Sequence, residues 1–477
     1  MLFNSIEFLV FFVVVFAIYW AIPWRKPKMI FLLAASYWFY MSWNAKLAAV
    51  VAGSSLIDYF LARALENSTT QGRRKAFLIA SIVMNVGLLV YFKYTKFFVA
   101  SFLEMLQRFG IHTPAPNLEF IVLPIGISFY TFEAVSYMVD LYHRRIEAEK
   151  NPVYFLLFIS FFPRMIAGPI IRARNFLPQV RRVKHFDGAR LDLGFQYVLM
   201  GLFKKIAIAD RMAALADPVF SSPAGFSTSA VWVAVIAYSL EIYCDFSGYS
   251  DIAVGTAHML GFKLPENFNM PYLSKNISEF WRRWHISLST WLRDYVFISL
   301  GGSRGTVLMT VATTMVTMSL CGLWHGANWT YVAWGVIHGI FLLVHRLFRN
   351  FCKARPALEA AMKSGRGAAL RTAVTFLAVT LSWVVFRAKT FTLAAWVFHS
   401  LFTRQKGVMV RSPIGPNSLL VVVVMVVIFH IAAETGLWKK WSLTWGAPRR
   451  GIAYTVAVVT MFLMATNAAK PFIYFQF

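Results

Sequence analysis

Phe8-Leu9-Val10-Phe11-Phe12-Val13-Val14-Val15-Phe16-Ala17-Ile18-Tyr19-Trp20-Ala21-Ile22, followed at once by Pro23-Trp24-Arg25-Lys26, is the stretch on which the fold turns. Every residue of the run is apolar or aromatic, and a basic cluster closes it. A helix needs about 20 apolar residues to cross the hydrocarbon core, and runs of this character bounded by Lys, Arg or Pro are candidate spans. The run opens without a basic segment and no small-residue cleavage site follows Ile22, so it reads as a retained first span rather than a leader.

Working outward, the pattern recurs at Met29 to Trp43, Phe77 to Phe92, Phe120 to Tyr142, Val231 to Tyr243, Val307 to Leu320, Tyr331 to Leu347, Leu370 to Phe386, Leu419 to Ala433 and Ile452 to Ala465. A weaker candidate, Ala48 to Leu65, is interrupted by Asp58. The chain is therefore expected to be an all-α, polytopic membrane protein, one integral-membrane domain over residues 1–477. Composition agrees, because 58% of the 477 residues are hydrophobic and 14% charged, whereas soluble domains run nearer half and a quarter. Forty-seven Lys and Arg against 21 Asp and Glu give a net charge of +26, which invites a nucleic-acid reading. The basic residues fall in short bursts between apolar runs instead of forming one stripe, so the partner they imply is the bilayer and no nucleic acid is expected. Cys244, Cys321 and Cys352 are too scattered for a disulfide framework or a metal cluster, and no metal is assigned.

The short loops give an orientation. Arg25, Lys26 and Lys28 follow the first span and belong in the cytoplasm, which leaves the N-terminus outside; Lys439, Lys440, Arg449 and Arg450 precede the last span and send the C-terminal segment outward too. Val153 to Ile171 breaks the alternation. It has span length but carries Pro163, Arg164, Gly168 and Pro169, with Lys150 before it and Arg172, Arg174, Arg181, Arg182 and Lys184 after it. A broken helix that enters and returns on the cytoplasmic side resolves this, since irregular backbone survives at membrane depth only where protein or water covers it.

Charges inside apolar spans cost about 3 kcal/mol or more each at the bilayer centre unless paired. Glu133 and Asp140 lie on one helix face, and Glu241, Asp245 and Asp251 sit among tyrosines and serines. Two readings stand for these acids, an interhelical hydrogen-bond network and the lining of a polar tunnel. The densest polar constellation is Phe280-Trp281-Arg282-Arg283-Trp284-His285-Ile286-Ser287-Leu288-Ser289-Thr290-Trp291-Leu292-Arg293-Asp294-Tyr295. Interleaved Trp and Arg suit an interfacial or re-entrant helix whose guanidiniums can hold a carboxylate, phosphate or pyrophosphate bidentately; a plain amphipathic surface helix is the alternative. Forty residues on comes Gly322-Leu323-Trp324-His325-Gly326-Ala327-Asn328-Trp329. Glycine there permits close approach of a ligand, the Trp ring excludes water, and an imidazole can take a proton from a hydroxyl at neutral pH. The competing reading has His325 merely bonding a neighbouring helix. His338 is a further candidate for the same cavity, and His345, followed by Arg346, reads as interfacial.

The chain closes with Lys470-Pro471-Phe472-Ile473-Tyr474-Phe475-Gln476-Phe477, too apolar to stay in water. It must enter lipid as an aromatic anchor or dock in a cleft, and an extended docked strand would point Phe472, Tyr474 and Gln476 one way.

At these residues the sequence resembles the membrane-bound O-acyltransferase (MBOAT) family, within it the bacterial branch of alginate O-acetyltransferases and relatives acting on other envelope polysaccharides. The likeness runs from Met1-Leu2-Phe3-Asn4-Ser5 through Leu123-Pro124-Ile125-Gly126-Ile127-Ser128-Phe129-Tyr130, Ala167-Gly168-Pro169 and Asp245-Phe246-Ser247-Gly248-Tyr249-Ser250-Asp251 to the two histidine motifs. The resemblance implies a multi-helix bundle with re-entrant helices and a central tunnel, in a bacterial inner membrane. It implies that His325 is the catalytic histidine and His285 the second signature residue. The closing Phe-x-Tyr-Phe-x-Phe, Phe472 to Phe477, is similar to a C-terminal motif of envelope acylation systems, which makes Tyr474 the carrier of the acyl group and residues 470–477 a shuttle tail. Acetyl-CoA is then the donor substrate, with no permanently bound cofactor; Trp281, Arg282, Arg283, Trp324 and Asn328 are its candidate contacts, and the basic run from Arg172 to Lys184 is a second candidate for its phosphates. The acceptor is an extracytoplasmic polysaccharide, reached directly or through a periplasmic acetyltransferase partner. A phenol, with a pKa of about 10, is a better leaving group than a sugar hydroxyl, so an ester on Tyr474 stays activated.

Two other classes compete. A polysaccharide-export or proton-coupled transporter subunit would work through Glu133, Asp140, Asp245 or Asp251 and tolerate loss of His325; an envelope-complex scaffold would tolerate loss of any of them.

Overall fold

The computed structural model of the chain describes residues 1–222, 224–411, 415, 417–465 and 471–473. The described residues are helices and connecting loops, as the apolar runs require in a solvent that cannot satisfy open backbone groups. Among the described residues, six helices are long and apolar enough to cross a membrane: Ala45–Asn67, Gln71–Arg108, Thr228–Met259, Val307–His325, Trp329–Lys353 and Gly365–Arg387. Ile6–Ala21, Phe391–Phe402 and Leu419–Glu434 are shorter apolar helices. The chain folds as two compact units, Met1–Val198 with Ile252–Pro265, and Leu199–Asp251 with Glu266 onward.

In the first unit, helices start where the sequence offers caps. Ser5 accepts the Phe8 amide to open Ile6–Ala21, and Asn44 accepts the Leu47 amide to open Ala45–Asn67. Asp58, the flaw in the Ala48 to Leu65 run, is buried and accepts from Ser81 Oγ at 2.5 Å and Asn85 Nδ2 at 2.8 Å, which ties its helix to the next. Phe120 to Tyr142 is helical only from Ile127, because Gly126 at φ +77° forms the turn before it. A Cβ on Gly126 would lie 2.4 Å from the Met165 carbonyl oxygen, so only glycine permits this approach of the two segments.

Val153 to Ile171 is the broken element the charges demanded. Its helix, Pro152–Ser160, stops at Phe161, and an irregular, almost wholly buried passage runs on to Arg172. Buried Arg164 pairs with Glu133, and the Ile171 amide donates to the same carboxylate at 3.3 Å. The acid on one helix thus replaces the backbone partners that the broken one has lost.

In the second unit, Val307–His325 and Trp329–Lys353 form an antiparallel pair. Gly322 and Gly335 face each other, and a Cβ on either would come within 2.1 Å of a backbone oxygen, Tyr331 O or Met318 O. Small residues let backbones close in where lipid gives helices no hydrophobic drive to associate. Thr228–Met259 is the helix with most of its apolar window buried, 78%. The sequence marked only its first half, Val231 to Tyr243; the polar remainder stays helical because its acids find bases, Asp245 with Lys205 and Asp251 with Lys204, both at 2.6 Å.

Candidate functional site

The turn between the paired helices carries His325. It ends the first helix, and Gly326 then runs extended, with a Cβ there excluded by the Tyr331 ring 2.1 Å away. Asn328 caps the second helix, its Oδ1 accepting the Thr330 amide at 3.0 Å while its Nδ2 donates to the Lys389 carbonyl at 2.9 Å. The His325 side chain is buried within aromatic rings: Trp324 at 4.9 Å, Trp334 at 5.2 Å and Phe386 at 5.4 Å between centroids. Such walls exclude water and strengthen any charge that forms inside them.

His285 lies beside it, ring centroids 6.4 Å apart. The Phe280–Tyr295 constellation is not one interfacial helix: it falls on two short ones, Ile277–Arg283 and Ile286–Leu292, with His285 at φ 42° between them, and on the π-helical turn Arg293–Phe297. A left-handed conformation in a non-glycine residue is costly and persists only where surroundings fix it. Here Asn267 fixes it: its Oδ1 lies 3.2 Å from His285 Nδ1 and also accepts from the Ser287 amide at 3.2 Å and Ser287 Oγ at 2.8 Å. Its Nδ2 donates to Ser250 Oγ at 3.2 Å. With Oδ1 as acceptor, the imidazole proton sits on Nδ1 and Nε2 is the basic nitrogen. Sequence reasoning missed Asn267, which sits in an unremarkable loop; only the fold brings it to the histidine.

Trp324 packs on both imidazoles, 5.7 Å from His285. Trp281 is buried against Trp334 at 5.8 Å and His338 at 5.3 Å. His338 is itself fully buried and its Nε2 is 2.9 Å from Ser382 Oγ, so it fixes the aromatic wall to the Gly365–Arg387 helix. Arg282 and Arg283 part company. Arg283 holds Glu279 at 3.0 Å and Glu434 at 2.7 Å. Arg282 opens instead onto a cleft of about 700 Å³ shared with Arg293, Arg346 and Arg349, whose wall includes Trp281 and Cys321. Cys321 is one helical turn before His325, so the cleft reaches the turn below the histidine. Sequence reading named Arg346 only as the neighbour that makes His345 interfacial and passed over Arg349; their spacing after His345 was the available signal.

The first unit has its own basic cleft, about 590 Å³, lined by Arg182, Lys184, His185, Arg190 and Lys263. Lys184 donates to the Gly261 carbonyl at 2.9 Å, and burial, with Arg190 and Arg182 beside it, pushes its pKa down to about 8. Four of the five acids singled out in the apolar spans pair with a base: Glu133 with Arg164, Asp140 with Arg145 at 3.0 Å, Asp245 with Lys205, Asp251 with Lys204. That is the network reading of these residues. Tyr474 lies outside the described residues, as do Phe475, Gln476 and Phe477; Phe472 and Ile473 just before it are buried.

The sequence has known relatives. Residues 143–386, which contain both histidines and the arginine-rimmed cleft, match the model of the MBOAT, membrane-bound O-acyltransferase family. A protein described as a probable alginate O-acetylase from Pseudomonas aeruginosa is 39% identical over 84% of this chain and 75% of its own length. One with the same description from Pseudomonas putida is 33% identical over the full length of both. The peptidoglycan O-acetyltransferase of Helicobacter pylori is 35% identical over 76% of this chain and 71% of its own. With its membrane-length helices and this site, the chain belongs to the membrane-bound O-acyltransferase family and is a multi-pass membrane O-acyltransferase.

Proposed function

We propose that this enzyme moves acetyl groups from cytoplasmic acetyl-CoA across a bacterial inner membrane toward an extracytoplasmic polysaccharide, alginate or another envelope glycan, directly or through a periplasmic acetyltransferase. The observation that carries the reading is the buried His285 and His325 pair, 6.4 Å apart, beside a cleft rimmed by four arginines. Coenzyme A is a polyanion that cannot cross lipid. Its phosphates suit Arg282, Arg293, Arg346 and Arg349 at the cleft rim, with the thioester arm directed past Trp281 and Cys321 toward His325. Arg283, committed to Glu279 and Glu434, fits a structural role better than the phosphate contact its position in the motif first suggested. Trp324 and Asn328 act by walling and by fixing the turn. The two compact units work as a single acyltransferase domain, with both termini outside.

The chemistry takes two steps. The Tyr474 phenol attacks the thioester carbonyl while His325 takes its proton; the C–S bond breaks, and the thiolate leaves and recovers that proton. A hydroxyl of the acceptor then attacks the aryl ester, gives its proton to His325, and the Tyr474 oxygen leaves as phenolate and is reprotonated. His285, whose Nδ1–H donates to Asn267 Oδ1, keeps Nε2 as its basic nitrogen and orients the reacting hydroxyl. Intact mass of the C-terminal peptide after incubation with acetyl-CoA tests the carrier. An acetyl adduct absent from Y474F is expected; no adduct, with normal polymer acetylation by Y474F, refutes it.

A further inference from the structure

The chain ahead of Tyr474 is held by a buried ionic cluster that neither the histidines nor the arginine cleft uses. Lys205, 1% exposed, contacts Asp245 Oδ1 at 2.6 Å and Asp210 Oδ1 at 2.9 Å. The second oxygen of Asp245 accepts the backbone amide of Ile473 at 2.7 Å, and Lys205 Nζ donates to the Pro471 carbonyl at 3.3 Å. The same ammonium lies 4.7 Å from the Phe472 ring centre, and Tyr249 meets that ring edge to face at 5.1 Å. Six residues beyond Lys205, Arg211 donates to the Ala465 carbonyl at 2.7 Å, at the end of the Ala447–Met464 helix. One stretch of chain thus grips the C-terminal segment at both ends of residues 466–470.

A lysine and two carboxylates are expensive to bury for packing alone. What distinguishes this cluster is that its spare acceptor and donor are spent on main-chain groups of the tail, which fixes register without regard to side chains. The register bears on the reacting centre: Phe246, next to Asp245, packs on the His285 ring at 4.7 Å. We propose that Lys205 and Asp245 are positioning residues that clamp Pro471 to Ile473, the residues directly ahead of the proposed acyl carrier, and that acyl transfer through it depends on this clamp. The proposal rests on Tyr474 being the acyl carrier.

The test uses the full-length membrane protein. Asp245→Asn keeps shape and leaves Lys205 paired with Asp210, so the helices should hold. Hydrogen exchange of the C-terminal peptide is expected to rise roughly tenfold to a hundredfold in D245N, the span of a charge-assisted hydrogen bond, with exchange of the Thr228–Met259 helix unchanged. The rate of Tyr474 acetylation should fall with the KM for acetyl-CoA unchanged, and Lys205→Arg should retain most of it. Unchanged tail exchange in D245N overturns the clamp, and raised exchange with a normal acetylation rate overturns its positioning role. Should D245N loosen the helix as well, Asp245→Glu, which keeps the charge on a longer arm, decides by the same two readings. Normal polymer acetylation by Y474F, with tail protection still lost in D245N, refutes the carrier and leaves the clamp standing.

Discussion

Gly335→Ala adds one methyl group to the closest approach in the second unit. The new Cβ would sit 2.1 Å from the Met318 carbonyl oxygen, 3.0 Å from its carbon and 3.1 Å from the Gly322 amide nitrogen, all backbone atoms that cannot rotate away. Real Cβ atoms do not approach closer than about 3.0 Å, so the helices must part by about 0.9 Å at this level. Met318 and Gly322 lie in the last two turns before His325, and the connecting turn is pinned by Asn328, so the displacement is passed to the histidine. Overpacking of this kind costs about 1–3 kcal/mol of stability. A misplacement near 1 Å in a catalytic group lowers turnover by about a hundredfold. The assay is polysaccharide acetylation normalised to folded protein, with melting temperature in detergent measured alongside. Two controls grade it. Gly339→Ala meets the flexible Met315 Sδ at 2.8 Å and should lose far less, and Gly53→Ala meets nothing within 4 Å and should be silent. Near-normal turnover in a folded G335A protein would refute the claim that this glycine contact sets the position of His325.

Asn267→Leu should lower turnover by about 10–100-fold while leaving expression intact, because the partner that fixes the His285 tautomer is gone; a changed pH profile with unchanged KM is the signature to measure. Replacing Arg346 and Arg349 by Gln should raise the KM for acetyl-CoA about tenfold or more at near-normal kcat, whereas Arg182→Ala with Lys184→Ala should leave it alone. The pH dependence separates the two clefts as well. Lys184, pushed down to about 8, is charged below that pH and neutral above it, so a polyanion held there would bind progressively more weakly between pH 7 and 9. A KM for acetyl-CoA flat across that interval is expected. Arg164→Met should cost about 3–5 kcal/mol by stranding Glu133, and R164M with Glu133→Leu should recover much of it; thermal melting of the pair of variants decides.

Membrane class and the broken Val153 to Ile171 element were legible because the bilayer imposes length and charge rules that act on short stretches of sequence. The two histidine motifs were legible because polar and aromatic residues were packed where lipid would reject them. Less was legible where meaning depends on partners distant in sequence. Nothing local distinguishes Asn267 from other loop asparagines, and the halves of the Arg282-Arg283 pair diverge because Glu434, 151 residues away, claims only one of them. The Val231 to Tyr243 run fell short of the full helix for the same reason, since Lys204 and Lys205 make its polar second half tolerable from another segment.

The Glu133 and Arg164 pair also bears on how the protein is made. An arginine entering the bilayer centre by itself costs about 2.5–3.5 kcal/mol on the scale set by cellular insertion. Glu133 is synthesised 31 residues earlier, on the helix Ile127–Tyr142. When the broken segment leaves the ribosome Glu133 has already been made, so chain order supplies the counter-charge ahead of the arginine that needs it.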